Sequence, residues 1–408
     1  MPRALVILPT GGYRAADFVD AARSIGVELA VASDRPDPLA AADRFVLVDC
    51  DDPKATADAI IDLALDTPID AIVAADDSGV EAAALASEAL GLDHHPPVAV
   101  EATRDKAVLR RRLARAEVPQ PPYRIVGAEG VRAAADHLGY PVVIKPRTLT
   151  ASRGVLRVDD PNSLSHVLDR IQLIREEAGE DPTSDLVVEQ FVSGPEFTVE
   201  GLMWGGSLEV LAVMEKPEPM DGPAFEETIF VTPARMSSTS ESDLIDTVRR
   251  SVDALGLSDG PIHAEARLSP EGPVLLEVAA RTIGGLCGRA LRFGLLGTSL
   301  EALVLRNALG LRRSLPRPAG ASGVLMIPIP VPGRLVAVRG VDDVRQMTNV
   351  HEVELTARTG DRLAPPPEGD RYLGFVFARA PTTDEVVTSL RSAMTTLDVE
   401  MAGAVSDT

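Results

Sequence analysis

Short apolar runs alternate with stretches of helical period through roughly the first 95 residues. Residues 5–8 are apolar throughout, as in a buried strand, and stop at Pro9-Thr10-Gly11-Gly12. A helix is predicted over residues 15–25, strands over 28–32 and 45–48, a helix over 55–65, a strand over 71–74 and a helix over 79–90. That rhythm predicts an N-terminal doubly wound parallel α/β domain over residues 1–97. Thr10-Gly11-Gly12 opens a helix after the first strand, where free N–H groups could take an anion. It lacks a full GxGxxG, so a tight structural turn is the stronger reading there.

The pattern changes after residue 97. A basic helix begins near Thr103-Arg104-Asp105-Lys106, ends near Ala116 and is broken by the prolines at 119, 121 and 122. A helix over 130–138 leads into the strand Val142-Val143-Ile144-Lys145-Pro146, then a loop of small residues at 148–155 and another strand. Residues 164–177 are helical, and 186–201 read as strand, turn, strand around Ser193-Gly194-Pro195. The breaks divide the remainder into domains at 98–192 and 193–408. From about residue 318, short strands at 323–329 and 374–378 and a helix at 383–397 predict an appended α+β module.

Two stretches with alternation each carry an acid. Residues 261–268 and 274–281 have the pattern of half-buried strands, with Ser269-Pro270-Glu271-Gly272-Pro273 as the turn between them. Folded as a hairpin, they bring Glu265 and Glu277 side by side. Two carboxylates held close on rigid strands repel each other unless a divalent cation sits between them. The competing reading is a pair of solvated acids on an exposed sheet face.

Composition narrows the classes. The chain has 408 residues, a formal net charge of −21 and 45% hydrophobic residues. Its length calls for more than one core, and its apolar content argues against disorder. So acidic a chain is not built as a general nucleic-acid binder, though a local basic pocket for a nucleotide stays open. Cys50 and Cys287 stand far apart with no metal-type spacing, so no disulfide framework is expected. No apolar stretch reaches the length of a membrane span. The expectation is a soluble cytoplasmic protein with small-molecule partners, no nucleic acid, no membrane and a homodimeric assembly.

Taken in order, Lys106, the Lys145 strand, the small-residue loop, Val188-Glu189-Gln190-Phe191-Val192, Gly194-Pro195-Glu196 and the two-acid hairpin resemble the ATP-grasp superfamily of ligases. The resemblance covers most of the chain and implies ATP-grasp central and C-terminal domains after the α/β domain. It also implies ATP and Mg2+ (or Mn2+) as cofactors. Lys106 and Lys145 would then face the phosphates, and Ser152, Arg153 and Gly154 would close over them as part of a lid. Glu189, Gln190, Phe191 and Val192 would form the adenine hinge, with the Glu189 side chain bonding the amino group. Glu196 would take the ribose hydroxyls. Glu265 and Glu277 would ligate the metal, and Arg281 would contact the transferred phosphoryl group or the acyl phosphate. The plainer alternatives are a solvated Lys106 and solvent-facing Glu189 and Glu196.

One position departs from the pattern. Many members carry an asparagine two residues after the second acid, and here that position is Ala279. Either the metal site has one protein ligand fewer, or a water fills in. Glu277-Val278-Ala279-Ala280-Arg281, residues 214–228 and the tail motifs at 328–334 and 371–374 resemble the L-amino-acid ligases of the bacilysin-synthetase type. The implied activity is an ATP-dependent carboxylate–amine ligase that joins amino acids, or an amino acid and a small acid, through an acyl phosphate. Glu226, His263, Arg281, Gly284 and Gly285 are the implied substrate residues, with a simple tight turn as the alternative for the glycine pair. The competing functions are a bicarbonate-activating carboxylase and a nucleotide-binding regulator without turnover. No Met-Lys-Met biotin-attachment motif occurs, and the intact acid pair disfavours the regulator.

Overall fold

Strand Arg3–Ile7 sits inside a four-stranded parallel sheet ordered Phe45–Leu47, Glu28–Ser33, Arg3–Ile7, Ala71–Ala74. This is a computed structural model describing residues 1–9, 12–35, 44–293, 295–316 and 318–403. Side chains of the first strand alternate between two cores. Ala4 and Val6 pack with Phe18, Ala21 and Ala22 of helix Ala15–Ile25, while Leu5 and Ile7 pack with Ala57, Ile60 and Ala83. Burial on both faces is why this run is apolar throughout. Thr10 and Gly11 of the glycine turn lie outside the described residues, and the Gly12 N–H donates to the Pro9 carbonyl at 3.1 Å.

A second four-stranded sheet is ordered Tyr123–Val126, Leu186–Gln190, Val142–Pro146, Leu156–Val158 and is antiparallel throughout. Helices Val131–Leu138 and Leu164–Glu177 cover it with Ala135, Ile171 and Leu164. The third sheet has eight strands, ordered Gly272–Ala279, Gly260–Ser269, Glu196–Trp204, Ser207–Lys216, Ile229–Thr232, Ala321–Ile327, Gly374–Ala380, Val350–Leu355. The late segment, expected as an appended module, therefore extends the sheet that carries the two acids. All four residues of Ile229–Thr232 are buried, and pairing with Ala321–Ile327 supplies the backbone partners that a bare edge would leave unmet. Among the described residues, no helix is long and apolar enough to cross a membrane.

His95 ties the first domain to the strand carrying Glu265. Its Nε2 donates to the Pro261 carbonyl at 3.1 Å, and the Ser258 N–H donates to Nδ1 at 3.2 Å. A carbonyl only accepts and an amide N–H only donates, so the ring is neutral with its proton on Nε2. Burial pushes its pKa from 6.5 down to about 4, and the bond to Pro261 offsets only part of that. Protonation thus favours the unfolded chain. This contribution to stability is complete above pH 6.5 and is lost as pH falls toward 4. The loss is at most about 3 kcal/mol. His95→Gln should be less stable than the parent near neutrality yet lose less on acidification, in urea melts across that window. Equal losses for both proteins would show that another group carries the acid sensitivity.

Candidate active site

Alternation along three neighbouring strands gathers their polar side chains on one face. The register sets Glu196 opposite Arg267, Thr198 opposite Glu265 and Glu200 opposite His263. Lys216 lies across from Glu196 on the other side. On the hairpin, Glu265 faces Glu277 directly, with a bulge after Glu265. The Lys216 ammonium reaches Glu196 at 2.6 Å and Glu265 at 3.2 Å and also bonds Glu227. Arg267 Nε donates to Glu196 at 2.8 Å. His263 places Nδ1 on Glu200 at 2.5 Å and Nε2 on Glu265 at 3.2 Å. Burial disfavours a charged imidazole, but the two carboxylates outweigh it and raise His263 to about 10. The ring is a fixed imidazolium and not a free base. Burial would likewise raise Glu265, yet Lys216 and His263 hold it well below the usual carboxylate range.

Above this face opens a cleft of about 710 Å³. Lys106, Lys145, Ser152, Glu189, Gln190, Phe191, Val192, Glu196, Glu265 and Glu277 all line it, together with Glu227 and the apolar Val143, Met220, Phe225 and Leu276. The second sheet brings Lys145 and Glu189, and the third brings Glu196, Glu265 and Glu277. Lys106 begins helix Lys106–Arg115 and donates to the Leu149 carbonyl at 2.7 Å, which ties it to the small-residue loop.

Glu189 differs from its expected use. Its carboxylate is 2% exposed and is taken by Arg110 and Lys145, each at 2.7 Å. Burial would raise its pKa, but these two cations hold it at about 2. The Glu189 side chain is therefore spent inside the fold. The Gln190 and Phe191 N–H groups donate to the Pro122 and Pro141 carbonyls and the Val192 carbonyl accepts from Arg267, which leaves the Val192 N–H and the Gln190 and Phe191 carbonyls for a base. Glu196 is also committed, one oxygen to Lys216 and the other to Arg267.

The loop residues divide. Ser152 lines the cleft, whereas Arg153 and Gly154 do not. Ala151, Ser152 and Gly154 take φ of 53°, 57° and 68°, and the turn sends Arg153 to the outer side, where Nε donates to the Glu368 carbonyl at 3.2 Å. A Cβ at Gly154 would lie 2.8 Å from the Pro146 ring, so glycine is required there. Expecting Arg153 over the cleft treated the loop as a simple arch and missed this turn.

The remaining residues form a second group. Arg281 places Nε 2.7 Å from Asp77, which also faces Arg104 at 3.4 Å. Gly284 has open space where a Cβ would stand, while at Gly285, with φ +57°, one would lie 2.8 Å from the Phe375 ring. Glu226 does not line the cleft. Burial raises its carboxyl, and its Oε1 has no hydrogen-bond partner among the described residues. Its neighbour Glu227 takes the cleft-facing position.

Several residues were missed. Arg267 stands two positions from Glu265 and Glu200 four from Glu196, so period-2 alternation carried enough signal to find them. Lys216 and Glu227 lie within the loop motif at 214–228, which marks the stretch but not the side chains that turn inward. Arg110 and Asp77 reach the site from other parts of the chain and leave no local signal. Glu196, Glu227 and Glu265 offer carboxylate oxygens all within 4.8 Å of one another. Such hard donors suit Mg2+ by type, but the Lys216 ammonium already bonds all three, and this trio shares only Glu265 with the hairpin pair.

Three family models match the chain in order. They are the ATP-grasp N-terminal domain over residues 19–94, the ATP-grasp domain over 138–290 and the L-amino acid ligase C-terminal domain 2 over 325–402. An uncharacterised protein of Sinorhizobium fredii is 29% identical over 307 residues, which is 74% of this chain and 62% of that protein. The alanine–anticapsin ligase of Bacillus subtilis is 27% identical over 233 residues, 53% of this chain and 49% of that ligase. The match thus spans between 49% and 62% of the length of these curated relatives. The solved L-amino acid ligase of Bacillus licheniformis superposes with a TM-score of 0.83 at 25% identity over 99% of both chains. The chain carries an ATP-grasp domain preceded by an ATP-grasp N-terminal domain, and residues 325–402 form an L-amino acid ligase C-terminal domain 2.

Proposed function

We propose that this protein uses ATP to join a carboxylate to an amine, acting on amino acids or on an amino acid and a small acid. The observation that carries this is one cleft with Lys106 and Lys145 on one side and Glu196, Glu227, Glu265 and Glu277 on the other. The ligase relatives support it by what their names state. A carboxylate oxygen attacks the γ-phosphorus, the bond to ADP breaks, and an acyl phosphate forms. The amine then attacks the acyl carbon, phosphate leaves, and the amine gives up a proton. The protein contributes position and charge, the main needs of phosphoryl transfer. Lys106 and Lys145 neutralise the phosphates, the 190–192 backbone holds the base, and Glu196 shares a ribose hydroxyl with its two cations. Glu265 and Glu277 would hold Mg2+, with Glu196 and Glu227 beside them, and the bound ion supplies Lewis-acid charge to the phosphoryl oxygens. Gly284 leaves room for the acyl group, and Glu227, which lines the cleft, offers a carboxylate oxygen to an amine. A phosphate-release screen over pairs of amino acids, followed by mass spectrometry, tests the reading. Protein that binds ATP but yields no condensed product from any pair would overturn it.

Lys145→Ala should weaken ATP binding by about 1.5–3 kcal/mol, the size of a charged hydrogen bond. The fold should survive, because Arg110 still pairs with Glu189. Calorimetry giving wild-type affinity would remove Lys145 from the phosphates.

A further inference from the structure

The loop between Arg362–Leu363 and Gly374–Ala380 crosses from the C-terminal region to the small-residue loop over the cleft. The Pro367 carbonyl accepts from the Gly154 N–H at 3.0 Å, and the Glu368 carbonyl from Arg153 Nε at 3.2 Å. The Glu368 carboxylate pairs two-pronged with Arg170 of helix Leu164–Glu177, Nε to Oε1 at 2.5 Å and Nη2 to Oε2 at 2.9 Å. Farther along, Arg371 Nε donates to the Tyr13 hydroxyl at 3.4 Å, so the same loop also touches the first domain. Thr150, Ala151 and Ser152 line the cleft on the inner side. Arg153 and Gly154 are held from outside by the C-terminal loop.

We propose that Arg170 and Glu368 are positioning residues that latch the lid over the nucleotide cleft, so that nucleotide release requires the pair to part. The proposal rests on that cleft being the nucleotide site. The side chains are 38% and 32% exposed, so the pair adds little to global stability. A lid opens locally, however, and a small bias there changes how often it opens. The bidentate geometry supplies orientation as well as attraction. Other anchors of the lid are separate: Lys106 donates to the Leu149 carbonyl at 2.7 Å, the Arg157 N–H to the Pro223 carbonyl at 2.9 Å, and Arg157 Nη1 to the Asp221 carbonyl at 2.8 Å. These hold the start of the loop and the strand Leu156–Val158 after it, while the turn at 151–154 meets the loop that carries Glu368.

Stopped-flow release of a fluorescent N-methylanthraniloyl ATP with Mg2+ from the full chain tests this. Arg170→Glu and Glu368→Arg should each raise the release rate about two- to fivefold, the size an exposed ion pair supports. The double charge swap should return the rate close to wild type, and all three variants should melt with the parent. Added salt should speed release from every form by screening the phosphate contacts, and more steeply from the wild type than from Arg170→Glu. Single variants at the wild-type rate, or a double variant no nearer to it than the singles, would overturn the latch while leaving the nucleotide site in place. A wild-type protein that does not bind the analogue would overturn the cleft reading, and the latch with it.

Discussion

Glutamine in place of Glu277 is expected to cut amide formation on the order of a thousandfold while leaving the fold intact. The acids around the cleft are not equivalent. Glu265 already bonds Lys216 and His263, and Glu196 bonds Lys216 and Arg267. Glu277 lines the same cleft and makes no ion pair within 4.0 Å among the described residues. Its charge is therefore the one least neutralised by the protein and the most available to a divalent cation. Ala279, two positions on, brings no ligand atom to take over. Glutamine keeps the size of the side chain and one carbonyl oxygen, but a neutral amide cannot balance a divalent cation. Turnover at saturating Mg2+ should be measured beside circular dichroism and a thermal melt. A folded variant that turns over at the parent rate would end the assignment of Glu277 to the metal.

The sequence was most readable where chemistry follows local pattern. The parallel α/β rhythm predicted the sheet containing Arg3–Ile7, and the turn at 269–273 predicted the hairpin, although its register alone would set Glu265 opposite Leu276 and a bulge after Glu265 brings Glu277 there instead. Both depend on neighbours in the chain, and periodicity records neighbours. Sheet membership of the tail was not readable. Nothing local to 321–327 says that it pairs with 229–232, because the partner is far away in sequence. The same limit explains Glu189. Its position next to Gln190 and Phe191 pointed to a hinge, but Arg110 and Lys145, which occupy its carboxylate, lie 79 and 44 residues earlier in the chain. Arg153 failed for a third reason. Three left-handed residues within four positions reverse the side a loop presents, and two of them, Ala151 and Ser152, are not glycines that would have announced the turn.

Methionine in place of Arg281 should lower the maximal rate of amide formation by roughly a hundred- to a thousandfold and change ATP affinity by less than about twofold. Arg281 does not line the nucleotide cleft but follows the strand that ends at Ala279, with its Nε 2.7 Å from Asp77 of the first domain. Asp77 also faces Arg104, so one carboxylate is shared by two guanidinium groups. Burial would raise Asp77, yet Arg281 and Arg104 with Lys106 outweigh it and keep it ionised. Burial disfavours a charged guanidinium, but Asp77, Glu277 and Glu200 all act on Arg281 and keep it charged, and an anion forming beside it is stabilised without further movement of that group. Charge on the transferred phosphoryl group and on the tetrahedral oxygen develops only during reaction, so a contact at this place acts on the transition state rather than on bound ATP. Methionine retains an unbranched stem and removes the charge. Asp77→Asn provides the comparison: it releases the anchor but leaves the guanidinium, so its rate should fall between those of the parent and Arg281→Met. Paired kinetics and calorimetry on both variants decide the matter. A loss confined to ATP affinity, with the maximal rate unchanged, would show that Arg281 serves bound nucleotide or the join between domains and has no part in the chemical step.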